Sequence, residues 1–180
     1  MRGGACLSAQ SLENGTKMRT QRIFRAYIYI IGVFALAALL FGCGRKPLFF
    51  AYSSTSVEGW EPGDTLKYHV DSVEQGGDYR LSLWLRTSVS EPYPFTSLWL
   101  VMRTQLHRPD TLLCDTIECR LINEQGESVG HGISLFQYSF PLKSLHLPTG
   151  SSADIRIFHI MRREVLPGIT DVGVRFDPAF

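Results

Sequence analysis

The sequence predicts an all-β fold, an antiparallel β-sandwich of about seven strands. Short runs of residues alternate between apolar and polar side chains, which is the period of a half-buried strand. Turns that contain glycine or proline separate these runs. After residue 43 no stretch keeps an apolar stripe at helical spacing for three turns, so a helix-rich fold is disfavoured. Short strands with regular turns are typical of a sandwich.

The N-terminal residues have the composition of a bacterial signal peptide. Residues 26–42 contain no charged side chain, and three arginines stand between positions 19 and 25. A basic segment that remains in the cytosol, followed by an apolar segment, is typical of an export signal. We assign residues 18–42 to this signal. A start at Met18 gives a leader of ordinary shape, so we expect residues 1–17 to be an over-called upstream start.

The leader ends in Leu40-Phe41-Gly42-Cys43, which is similar to the lipobox of bacterial lipoproteins. Small Gly42 leaves the scissile bond accessible to a peptidase, and the thiol of Cys43 can carry a diacylglycerol through a thioether. A transmembrane helix is the alternative, but a span needs about 20 apolar residues and this run lies near the lower limit. A third interpretation is a secretory signal without lipidation, but it would not explain why a cysteine directly follows Leu40-Phe41-Gly42. We therefore predict cleavage before Cys43 and attachment to a membrane through its lipid.

Cleavage leaves residues 43–180, a length that suits one domain. The full chain has a formal net charge of +1, and residues 1–42 hold five basic residues and one acidic residue, so the mature chain has a net charge of −3. Because the mature chain has no basic excess, we expect no binding of nucleic acid.

The mature chain divides into a lipidated tether, residues 43–63, and a sandwich domain, residues 64–180. The tether assignment depends on the polar run at residues 53–56 and on Pro47 and Pro62, which interrupt regular elements. The clearest strand in the domain lies at residues 79–86, where four apolar side chains alternate with four others. Weaker alternation predicts strands at residues 66–70, 98–102, 117–121, 136–140, 155–157 and 172–176.

Two further cysteines of the mature chain, Cys114 and Cys119, are predicted to be free. Five residues of extended chain span about 16 Å, whereas a disulfide requires α-carbons within about 7 Å. Their odd spacing also places them on opposite faces of a strand. We expect Cys119 to be a core residue between Ile117 and Leu121. A disulfide would need a turn near Asp115.

The mature chain contains no recognisable catalytic or metal-binding pattern. The Gly-x-Ser-x-Gly, His-Glu-x-x-His and phosphate-loop motifs are missing from the sequence. None of the five histidines stands three or four residues from another histidine or cysteine. We therefore predict a protein that is not an enzyme and has no cofactor and no metal site.

One group of side chains suggests a contact surface. If residues 79–86 pair as a hairpin with residues 98–104, their polar faces combine into one patch that can grip a sugar or a partner protein. The alternative is a face covered by another layer, with the arginines extending outward. Residues 161–169 form a second candidate contact loop. The members of the patch are Trp84, Trp99, Arg80, Arg86 and Arg103.

Short blocks spread over the mature chain carry a family resemblance. They are Gly59-Trp60 with Asp64-Thr65-Leu66, Tyr93-Pro94-Phe95 with Leu98-Trp99-Leu100, Asp115-Thr116-Ile117-Glu118-Cys119, Asn123-Glu124-Gln125-Gly126, Ser134-Leu135-Phe136-Gln137-Tyr138, and Met161-Arg162 with Leu166-Pro167-Gly168-Ile169-Thr170-Asp171-Val172-Gly173. With these blocks the chain resembles the gliding-motility lipoprotein family GldH of the Bacteroidetes.

The resemblance implies a non-catalytic envelope lipoprotein, a structural or scaffold component associated with gliding motility and with the related type IX secretion system. Its partners would be the membrane and other envelope proteins of that machinery. In that phylum an acidic stretch after the lipidated cysteine marks export to the cell surface, and Gly44-Arg45-Lys46-Pro47 lacks it. The resemblance thus implies an outer-membrane anchor that faces the periplasm. The alternative function is a glycan-binding sandwich module on a membrane anchor.

Overall fold

Alternation of apolar and polar side chains builds eight strands in the computed structural model, which describes residues 31–32 and 46–179. Every pairing between them is antiparallel. The predicted all-β antiparallel sandwich is confirmed, with one strand more than expected. The strands are β1 (Phe49–Ser54), β2 (Leu66–Val70), β3 (Gly77–Ser88), β4 (Ser97–His107), β5 (Thr111–Arg120), β6 (Leu135–Leu147), β7 (Ser152–His159) and β8 (Ile169–Pro178).

The predicted upstream start, signal peptide and lipidated Cys43 lie outside the described residues. Within the part of the chain that the structure covers, no helix is both long and apolar enough to cross a membrane.

The strands form two sheets of four. Sheet 1 has the order β1-β8-β3-β6, and sheet 2 has the order β2-β7-β4-β5. Their inward side chains form one core, in which Leu83 of sheet 1 and Leu100 of sheet 2 are fully buried. Burial of each such side chain contributes about 1.5–3 kcal/mol relative to exposure. The buried hydroxyl of Tyr68 in β2 donates a hydrogen bond of 2.8 Å to the carbonyl of Val172 in β8, which joins the two sheets.

The segment predicted to be a tether, residues 43–63, contributes a strand and a core side chain. Strand β1 pairs with β8 over its whole length, and Trp60 is fully buried. Strand β1 was not predicted from the sequence, because its outward side chains, Phe50 and Tyr52, are aromatic and the strand has no polar alternation. The folded domain therefore includes residues that were assigned to the tether.

The predicted hairpin between residues 79–86 and 98–104 is not formed. Strand β3 lies between β8 and β6, while β4 lies between β7 and β5 in the other sheet. The connection from Ser88 to Ser97 contains eight residues, which is longer than the loop of a tight hairpin. This proline-containing connection crosses from one sheet to the other, so β3 pairs with strands that are distant in sequence.

The prediction for the two mature cysteines is confirmed. Both lie in β5 and both are free, with Cys114 exposed and Cys119 buried. Burial raises the pKa of the Cys119 thiol to about 12, because the apolar surroundings disfavour a thiolate.

The two ends of the sandwich differ in the length of their connections. Short connections lie at the end where β1 starts, which we call the β1-start end. The register places the four longer connections together at the opposite end, which we call the loop end. The loop end comprises residues 55–65, 89–96, 121–134 and 160–168.

Candidate functional site

The residues predicted to form one contact patch lie on two different surfaces. Trp84, Arg80 and Arg86 belong to β3 and face outward from sheet 1, whereas Trp99 and Arg103 belong to β4 and face outward from sheet 2. The outer faces of a sandwich point away from each other, so the single patch does not exist. Contact with a ligand or partner at the individual positions remains a prediction.

The outer face of sheet 1 carries a layer of aromatic rings and guanidinium groups around Trp84. The rings of Phe50 and Trp84 meet edge to face, with centroids 5.5 Å apart. The guanidinium of Arg86 lies 3.9 Å from the ring centroid of Tyr52, and that of Arg175 lies 5.6 Å from the centroid of Trp84. Cation–π contacts of this kind stabilise an exposed site by about 0.5–1 kcal/mol. Trp84 is therefore a half-buried member of a packed layer.

Gly173 in β8 makes this packing possible. A β-carbon at this position would lie 2.8 Å from the ring of Tyr52 and 3.2 Å from the β-carbon of Trp84. The missing side chain lets the Tyr52 ring lie across the backbone of β8. Burial raises the pKa of the Tyr52 phenol, and the charge of Arg86 acts against this rise.

A groove of about 870 Å³ lies beside Trp84. It is lined by Arg86, Gln137 and Phe140 of the sheet, and the connection before β6 adds Val129, His131 and Gly132. An aromatic ring, an amide and a guanidinium in one concave site are groups that hold polar ligands such as sugars. The groove is therefore a candidate site for a small polar ligand on the outer face of sheet 1.

Sheet 2 carries a charged cluster on its outer face. The carboxylate of Asp154 in β7 contacts Nδ1 of His69 at 2.7 Å and Nε2 of His107 at 2.8 Å. These hydrogen bonds lower the pKa of Asp154. The hydrogen bond between Asp154 and His69 also raises the pKa of His69. All three side chains are partly exposed, so their mutual attraction is screened by solvent.

The structure places no group of three or more histidine, cysteine or carboxylate side chains at metal-binding distances within the residues it describes.

His159 at the end of β7 is buried beside Trp60, with ring centroids 5.3 Å apart. Burial lowers the pKa of His159, because the apolar surroundings disfavour the imidazolium.

Exposed apolar side chains concentrate at the loop end. Val57 is 99% exposed and Ile133 is 94% exposed. Several exposed apolar side chains at one end of a domain offer apolar area for contact with another protein. The other exposed apolar residues of these loops are Val89, Val129, Ile160 and Val165.

The layer around Trp84 also contains Phe50, Tyr52 and Arg175, which were not predicted from the sequence. The aromatic pair at positions 50 and 52 was the available signal, since side chains two residues apart in a strand share a face. Their contact with Trp84 depends on the pairing of β1 with β8 and of β8 with β3, which no local pattern shows.

Comparison with known proteins gives one family match and several distant structural likenesses. The sequence model of the family described as GldH lipoprotein matches residues 48–176. Comparison with curated proteins gives no match.

Among solved structures, the chain is similar to a family GH115 4-O-methyl-α-glucuronidase with specificity for decorated arabinogalactans. The identity is 11% and the TM-score 0.38, over 77% of this chain and 18% of that one. It is also similar to a carbohydrate-binding module specific for non-crystalline cellulose, at 13% identity and a TM-score of 0.39, over 72% of this chain and 75% of that one. A family 35 carbohydrate-binding module from Clostridium thermocellum matches at 13% identity and a TM-score of 0.33, over 70% and 89% of the two chains. This chain thus spans about a fifth of the length of the glucuronidase.

Proposed function

This chain belongs to the GldH lipoprotein family, and from this premise we propose that it is a non-catalytic scaffold of the cell envelope. In this proposal it is associated with the machinery of gliding motility and type IX secretion. Lipid on Cys43 holds it to the outer membrane, and the domain faces the periplasm. The absence of an acidic stretch after Cys43 supports this side of the membrane.

The short connection between Cys43 and the sandwich supports close attachment to the membrane. Six residue steps separate Cys43 from the start of β1 at Phe49, and a fully extended chain of that length reaches at most about 21 Å. Each methylene buried in the bilayer contributes about 0.8 kcal/mol, so several acyl chains hold the domain firmly. Confinement to a thin layer raises the effective concentration toward partners in the same membrane.

The arrangement of the loops is the observation that carries the scaffold proposal. The β1-start end is tied to the lipid by the short connection, so the loop end is free to extend away from the membrane. That end carries the exposed apolar side chains, including Val57 and Ile133. An apolar surface held at a defined distance from a membrane suits contact with another envelope protein.

Crosslinking in living cells tests this function. A photoreactive amino acid at Ile133, on the loop end, should crosslink to specific envelope proteins. The matched position is Leu112, which is 63% exposed but lies near the β1-start end. Envelope proteins recovered equally from both positions, or from neither, would contradict docking through the loop end.

Glycan binding is a second candidate, and the groove beside Trp84 favours it. Its aromatic ring and polar lining offer stacking and hydrogen bonds to a sugar. On a glycan array, binding should disappear in Trp84→Ala and persist in Trp99→Ala, because Trp99 lies on the other sheet. No binding to any polysaccharide or peptidoglycan fragment would remove this candidate.

A further inference from the structure

Three cationic side chains form a row across the outer face of sheet 2. Lys67 in β2 is the direct partner of Arg156 in β7, which is in turn the direct partner of Arg103 in β4. All three are exposed. Directly opposite side chains in neighbouring strands have β-carbons about 4.5–5.5 Å apart, and like charges in such positions repel each other. The alignment of three positive charges therefore lowers the stability of the folded domain.

No carboxylate neutralises this basic row. Within the described residues none of the three cations has an acidic side chain within 4.0 Å, whereas other charged residues form such pairs. Asp154 stands two residues from Arg156 on the same face of β7, but its two oxygens contact His69 and His107. Asp154 therefore forms its hydrogen bonds with histidines and not with the basic row. The row remains cationic, although the net charge of the mature chain is negative.

The basic row lines a groove of about 600 Å³. The guanidinium of Arg103 lies 5.3 Å from the ring centroid of Phe158, which limits its freedom. The groove is also lined by Ser56, Thr65 and Asp64. It thus combines three cations with hydroxyl donors and one carboxylate, and this carboxylate forms no ion pair with the row.

We propose that the basic row binds a ligand with two or more linked phosphate groups. Guanidinium groups bind phosphate oxygens through paired, charge-assisted hydrogen bonds. Neighbouring strands lie about 4.8 Å apart, so three cations on three strands span about 10 Å, more than one phosphate covers. A bound polyphosphate removes the repulsion along the row. The groove borders the loop end through residues 55–65, but phosphate binding by the basic row does not depend on the scaffold role.

Calorimetric titration of the full chain in neutral detergent with tripolyphosphate tests the proposal. The row variant Arg103→Gln with Arg156→Gln should bind at least tenfold more weakly than the wild type. The matched control is Arg80→Gln with Arg120→Gln, which removes the same charge from exposed positions outside the row. The control should bind within twofold of the wild type.

Thermal unfolding supplies a second readout that does not depend on calorimetric heat. Tripolyphosphate should raise the melting temperature of the wild type and of the control, and leave that of the row variant unchanged. The substituted side chains are exposed, so the row variant should remain folded. The proposal is overturned if the wild type does not bind, or if the control loses as much affinity as the row variant.

The source of the phosphate groups is distinguished with lipid nanodiscs that hold the full chain. Discs of phosphatidylcholine are compared with discs that also contain cardiolipin, whose headgroup joins two phosphate groups through one glycerol. If anionic headgroups occupy the basic row, the anionic discs should weaken tripolyphosphate binding by the wild type severalfold. Equal affinity in both discs assigns the site to a soluble phosphorylated ligand, and loss of binding in both discs contradicts the proposal.

Discussion

Replacing Trp60 by alanine tests whether the segment before β2 is part of the folded domain. The side chain is fully buried, and its Nε1 donates a hydrogen bond of 2.8 Å to the carbonyl of Asp64. Its backbone exchanges two hydrogen bonds with Leu166, at 2.9 and 3.0 Å, which ties the connection after β1 to the one before β8. Gly59, just before it, has a φ of +117°, and a β-carbon there would lie 2.5 Å from Val165. The local backbone is thus built to place this tryptophan in the core.

The expected loss is large because the site combines burial with a hydrogen bond. Truncation of a buried tryptophan costs about 3–5 kcal/mol in the free energy of unfolding. For a domain of this size each kcal/mol lowers the melting temperature by roughly 3–4 °C, so Trp60→Ala should melt about 10–20 °C below the wild type.

Thermal and urea unfolding of the two variants gives the measurement. Trp99→Ala is the matched control, since it removes the same side chain from a position that is 40% exposed, and it should cost no more than about 1 kcal/mol. Equal melting temperatures for Trp60→Ala and Trp99→Ala would refute the reasoning and would restore the tether assignment for residues 43–63.

Three further predictions concern other parts of the sandwich. Iodoacetamide should label Cys114 in the native protein and Cys119 only after unfolding, because burial raises the pKa of the Cys119 thiol to about 12; peptide mapping by mass spectrometry measures this, and equal labelling of both would contradict it. Gly173→Ala should lower the free energy of unfolding by about 1–3 kcal/mol, because the added methyl group meets the Tyr52 ring. In a background that already carries Tyr52→Ala, the Gly173→Ala substitution should cost less, and an equal cost in both backgrounds would argue against this contact. Burial lowers the pKa of His159, so an unfolded chain binds a proton there below pH 6.5 while the folded chain resists it; stability should fall as pH drops through this range, and less so in His159→Gln. Parallel pH profiles of the two proteins would exclude His159 as the cause.

Local alternation was sufficient to predict most strands. Strand β3 shows it best, because its inward leucines enter the core while Arg80 and Arg86 remain at the surface. Cys119 was placed correctly for the same reason, since its neighbours Ile117 and Leu121 point inward with it. In each case the side-chain pattern and the local burial agree.

Strand β1 escaped prediction because its outward face carries aromatic side chains instead of polar ones. Phe50 and Tyr52 face outward but pack against Trp84, Arg86 and Arg175, so polar side chains are not required there. A strand with aromatic side chains on its outward face lacks the apolar–polar alternation by which a half-buried strand is recognised.

The assignment of strands to sheets could not be predicted from local patterns. Adjacent strands in sequence usually pair, and this favoured a hairpin of β3 with β4. The proline-containing connection between Ser88 and Ser97 instead crosses to the other sheet. This crossing separates Trp84 from Trp99 and aligns Arg103 with Arg156, so both the loss of the expected patch and the presence of the basic row follow from one change of sheet.

Mass spectrometry of the protein purified from its native membranes tests the central claim most directly. The account predicts that the mature chain begins at Cys43 and that its N-terminal peptide carries a diacylglycerol on the sulfur. An unmodified Cys43, or a chain that retains residues 18–42 or is recovered without lipid from the soluble fraction, would contradict it.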